Sequence, residues 1–74
     1  MININGEKWR ILLVPPDHSE LKNSRGEPVW GVCDDYYKII FLNEDLDDFT
    51  LKQVLCHELV HACMFSYDVE LTIE

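Results

Sequence analysis

Two histidines, His57 and His61, flank Glu58, Leu59 and Val60 in the run Val54-Leu55-Cys56-His57-Glu58-Leu59-Val60-His61-Ala62. On a helix, positions four apart lie one turn apart on one face, so both imidazoles can reach one metal ion at about 2.0–2.1 Å from each nitrogen. Glu58 points about 100° further round the helix, outside that coordination sphere but within reach of a water beside it. It can then serve as general base, while the metal lowers the pKa of the water and polarises a carbonyl. A histidine pair on a solvated helix face needs no such purpose. Here the pair and its carboxylate sit in an otherwise apolar stretch, where burying three such groups without a shared role is costly.

The elements that must hold these residues follow from the pattern around them. Asn43 to Asp48 is an acidic cluster followed by a long segment without Gly or Pro, which predicts a helix from about residue 48 to about residue 66. Either Asp47 caps it, or Thr50 with Gln53 makes a capping box. The cluster lacks the Gly and closing Glu of a calcium loop, so the helix start is the better reading. At about 100° per residue, Leu55, Leu59, Ala62 and Phe65 share one side, Val60 and Met64 flank the histidines, and Cys56 and Cys63 lie on another. Such a nearly encircled helix is expected in the middle of a domain, with strands on one side and a second partner on the other.

Before the helix the chain reads as strands. Ile2 and Ile4 alternate with Asn, Gly6 can turn, and Trp9 to Val14 is aromatic and branched, ending at Pro15-Pro16. Asp17 to Pro28 is an irregular loop with Leu21 its only large aliphatic residue. Residues 29–33 and 36–42 then form a hairpin about a turn at Asp34-Asp35. Trp9 and Trp30 are expected in the core, as are Cys56, Cys63 and Cys33, although Cys33 approaches the histidines if the hairpin lies near them. His18, in its loop, has no local companion and is read as a solvated histidine rather than a ligand.

Composition narrows the function classes. The 74 residues, 47% hydrophobic and 27% charged, suit one small soluble domain, 1–74, whose limited core invites support from a metal or a partner. The formal net charge of −8 lies entirely after residue 33. It argues against nucleic acid and against an anionic membrane surface. No apolar run approaches the roughly 18 residues of a membrane span, and the N-terminus lacks the basic and apolar regions of a signal peptide. Three cysteines cannot all pair within one chain, which suits reduced thiols in a cytoplasmic setting.

Tyr36-Tyr37-Lys38-Ile39-Ile40-Phe41-Leu42-Asn43, a short acidic spacer, and Leu51 to Phe65 carrying His57-Glu58-Leu59-Val60-His61-Ala62 together resemble the core of the zincin metallopeptidases. The nearest likeness is to the small phage and mobile-element members of the ImmA/IrrE-like group. It covers residues 29–66 well and the N-terminal strand loosely. It implies zinc on His57 and His61, a general base at Glu58, and an edge strand that lies across the active-site helix and binds substrate in extended form. It also implies work in a host cytoplasm, such as clearing a repressor.

The third ligand departs from the family patterns. A catalytic zinc site has three protein ligands and an open position. In the metzincins the third is a His six residues beyond the second, which is Tyr67 here, and their Gly position is Met64. In the glutamate-ligand zincins it comes from a later helix. Either Glu70 or Glu74 serves, or the ligand lies beyond residue 74 of a truncated chain.

These readings combine into an α+β domain, a short antiparallel sheet packed on one long active-site helix. Its expected function is zinc-dependent hydrolysis of a peptide or protein substrate by Glu58, His57 and His61. The alternative is a non-catalytic zincin-like module that keeps the fold, and zinc with it, and pairs with a partner protein.

Overall fold

The structure, a computed structural model, describes residues 2–67. Four strands and one helix follow one another as β1 (Ile2–Ile4), β2 (Glu7–Val14), β3 (Gly31–Asp34), β4 (Ile39–Asn43) and α1 (Asp48–Tyr67). The sheet order is β1-β2-β4-β3. Asn5 and Gly6 both take positive φ, 51° and 81°, the demand of a two-residue turn between antiparallel strands. Ile2 thereby faces Trp9 across β1 and β2.

The α+β class and the long helix are as expected, but the sheet is mixed rather than antiparallel throughout. β2 and β4 run parallel, with Arg10 opposite Ile39 and Val14 opposite Asn43. The cause lies in β4, where Ile39, Ile40, Phe41 and Leu42 are all buried. A strand apolar on both faces belongs inside a sheet. The chain therefore leaves β2, crosses to the far edge as β3, and returns antiparallel as β4 in between.

Each face of the sheet has its own core. Ile4, Trp9, Ile40 and Leu42 meet Ala62 of α1, with Leu51, Val54, Leu55 and Leu59 packed around them. On the other face Val14, Ile39 and Phe41 close around Leu21. The loop between β2 and β3 thus has a packing role: its single large aliphatic residue is fully buried. Val29 N–H donating to Leu21 O and Asn23 Oδ1 accepting from Arg25 and Glu27 hold it in shape.

Asp47 is the helix cap, its Oδ1 accepting the Thr50 N–H at 2.7 Å. At the other end the Trp9 indole donates to Ser66 Oγ at 3.0 Å, and Asn5 Nδ2 donates to Ser66 O at 2.9 Å. The C-terminal end of α1 is therefore pinned to the first hairpin.

The expected envelopment of α1 on all sides does not hold among the described residues. Only Glu58 and Ala62 are buried on it, while Phe49, Val60, Phe65 and Tyr67 are exposed. Cys56 and Cys63 are exposed rather than core, because both lie on the side turned from the sheet. Trp30 is also exposed, sitting at the edge just before β3, whereas Trp9 is wholly buried as expected.

Candidate metal centre

α1 presents its polar residues in a graded way. Its apolar side rests on β3 and β4, and this rotation carries Glu58 under the sheet edge, with 7% of its surface exposed. His61 is half-buried and His57 exposed at the rim. Their Nε2 atoms lie 3.1 Å apart, with the rings edge-on. One ligand atom from each of His57, Glu58 and His61 falls within 4.8 Å of the others.

Two nitrogens 3.1 Å apart and each about 2.05 Å from one ion would subtend roughly 100° there, near the tetrahedral angle of about 109° that zinc favours. Without an ion, one ring can donate its N–H to the other. Glu58 is the third member of the cluster. Its Oε2 is buried and has no hydrogen-bond partner among the described residues, an arrangement that calls for a water or cation alongside. Burial pushes the Glu58 carboxyl above its ordinary value, while His61 and His57 pull it back. The donor set therefore fits a divalent metal and a base beside it.

His18 falls away from this cluster. His18 stacks on Phe41, with ring centroids 5.7 Å apart, and its Nδ1 accepts the Glu20 N–H. Phe41 belongs to the core on the face away from α1. Cys33 does approach, as the hairpin allows: it packs into the core under the helix, and burial, then the charge of Glu58, pushes its thiol up to about 12. It is not one of the clustered ligand groups. Glu70 and Glu74, the expected third ligands, lie outside the described residues.

A position close to Glu58 that the sequence pattern passed over is Gly31. It was legible only as one residue of a short strand, yet a glycine inside a strand signals a close backbone approach. A Cβ at Gly31 would stand 3.3 Å from Glu58 Cγ.

The profile of a peptidase family described as the IrrE N-terminal-like domain matches residues 16–73. The chain belongs to this family. No curated protein and no solved structure matches it. The match spans β3, β4 and α1, the elements that build the His57-Glu58-His61 cluster. The IrrE N-terminal-like domain is metallopeptidase-like, and its HExxH motif here is the cluster itself. No helix among the described residues is long and apolar enough to cross a membrane.

Proposed function

We propose that the protein is a zinc-dependent peptidase that hydrolyses an extended peptide or protein segment laid along the free edge of β3. The observation that carries this reading is the convergence of two imidazole nitrogens 3.1 Å apart with a carboxylate oxygen of the buried Glu58 within 4.8 Å. His57 and His61 would hold the metal, with a third ligand from outside the described residues. Zinc, when bound, supplies Lewis acidity that lowers the pKa of a water and polarises a carbonyl.

The chain's own residues supply the rest. Asn43 N–H donates to Trp30 O at 2.9 Å, and Gly31 faces Leu42 while Cys33 faces Ile40. By antiparallel alternation, Val32 and Asp34 turn their backbone groups toward β4, and Gly31 and Cys33 turn theirs outward. No strand occupies that side among the described residues. An extended segment can therefore add there by backbone hydrogen bonds. Glu58 takes a proton from the attacking water as its oxygen joins the carbonyl carbon. It returns that proton to the amine nitrogen as the C–N bond breaks, and burial makes this carboxylate the stronger base.

Cleavage of unfolded β-casein by the zinc-loaded chain, followed by mass spectrometry, tests the reading. Wild type is expected to cut. Glu58→Gln is expected to keep its metal and lose turnover, and equal turnover in the two would remove Glu58 from the chemistry. The open side of α1, with Phe49, Val60 and Tyr67 exposed, favours a second reading, a non-catalytic module that binds a partner protein. That reading predicts zinc binding with no cleavage of any peptide.

A further inference from the structure

Gly31 is a glycine for space, not for backbone conformation. The glycines with positive φ are Gly6 and Gly26, and a Cβ at either would meet nothing within 4 Å. At Gly31 a Cβ would stand 2.7 Å from Val54 Cγ1, 3.2 Å from Leu42 Cδ2 and 3.3 Å from Glu58 Cγ. Three groups therefore converge on one missing side chain: the neighbouring strand, the helix turn before His57, and the stem of the general base.

The same residue turns its N–H and C=O toward the open edge of β3. One backbone position thus lies too close to Glu58 and Val54 to carry a side chain on its inner side, and offers hydrogen bonds to an extended segment on its outer side. We propose that Gly31 is a positioning residue of the peptidase: having no side chain, it lets the substrate-carrying edge lie directly against the stem of Glu58. This inference rests on the peptidase reading given above.

An alanine cannot be absorbed there by a small rotation. Val54 is β-branched and strongly confined to one rotamer in a helix. Moving from 2.7 Å to the 3.4 Å at which ordinary contact begins requires β3 and α1 to part by about 0.7 Å. The outward N–H and C=O of residue 31 survive the change, so substrate capture should persist. The carboxylate and the scissile carbonyl would lose alignment, and misplacement on the order of 1 Å can cost about 100-fold in rate.

The test uses the zinc-loaded full chain as wild type, Gly31→Ala, Val54→Ala and the double variant, with the best-cleaved peptide of a β-casein digest as probe. Rates are expressed per bound zinc, and zinc affinity and melting temperature are measured beside them. Gly31→Ala is expected to lower kcat at least about tenfold, with KM and zinc affinity within about twofold of wild type. Val54→Ala in the same chain vacates the space and is expected to recover most of that kcat. In the metal-free proteins the two substitutions should be non-additive in melting temperature, since the residues touch.

An unchanged kcat in a folded Gly31→Ala variant overturns the positioning role, as does a loss that Val54→Ala fails to recover. Should Gly31→Ala not fold, Val54→Ile presses on Gly31 from the helix side and carries the same expectation. Absence of cleavage by wild type is read from that protein alone. It overturns the peptidase reading, and the positioning role with it.

Discussion

The indole N–H of Trp9 donates to the hydroxyl of Ser66 at 3.0 Å, joining the first hairpin to the last turn of the helix that carries His57 and His61. Trp9 is wholly buried and carries Lys38 over its ring at 5.5 Å. The bond satisfies an indole donor that would otherwise be sealed from water. Ser66→Ala is expected to cost about 1–2 kcal/mol, a fall of roughly 4–8 °C in melting temperature for each kcal/mol in a domain of this size. Thermal unfolding of Ser66→Ala, Trp9→Phe and the double variant measures the coupling. Additive effects would mean the bond contributes nothing.

Asp47 makes the helix start sensitive to acid. The Thr50 backbone N–H, and then its hydroxyl, hold the Asp47 carboxyl below its ordinary value of 3.8. A group depressed in the folded state adds stability above its unfolded pKa and loses it as pH falls through the folded one. The helix is therefore expected to weaken below pH 3.8, and Asp47→Asn, which keeps the accepting oxygen, to remove that part of the acid dependence. Circular dichroism across this range compares the two proteins.

How much of this was legible in the sequence depended on whether a feature is local. The helix, the turn at Gly6 and the His57-Glu58-His61 spacing depend on near neighbours and follow from residue types alone, whereas residue types left the cap open between Asp47 and a Thr50-Gln53 box, which the structure decides for Asp47. Strand order does not. Four buried apolar residues in β4 could have signalled an interior strand, and so a parallel partner, but the short hairpins around it suggested an antiparallel sheet. The burial of Leu21 and the exposure of Cys56, Cys63 and Trp30 depend on which face each element turns to the others. Composition does not fix that choice.

The three thiols should react very differently. Cys56 and Cys63 are exposed on α1, whereas Cys33 is half-buried and raised to about 12 by burial and by the charge of Glu58. The thiolate is the reactive form. Iodoacetamide near pH 8 is expected to label Cys56 and Cys63 quickly and Cys33 at least about 100-fold more slowly. Peptide mapping of the alkylated protein reads this directly, and comparable labelling of Cys33 would contradict its place under the helix.

Glu58 should trade stability for function. A carboxylate whose Oε2 is buried without a hydrogen bond from any described residue opposes folding at neutral pH. The metal-free Glu58→Gln protein is expected to melt at or above the temperature of metal-free wild type, and the zinc-loaded variant to lose turnover. Differential scanning calorimetry of the metal-free proteins checks the first half. A clear loss of stability would show that the charged carboxylate contributes to folding.

The claim at the centre is that His57 and His61 hold one metal ion together. Competition between the purified chain and a chromogenic chelator, with elemental analysis, gives zinc stoichiometry and affinity for wild type and His61→Ala. One zinc per chain, lost or weakened by at least about 100-fold in His61→Ala, is the predicted result. Zinc uptake that is absent in wild type, or unchanged in His61→Ala, would contradict it and leave the 3.1 Å contact as a hydrogen bond between two imidazoles.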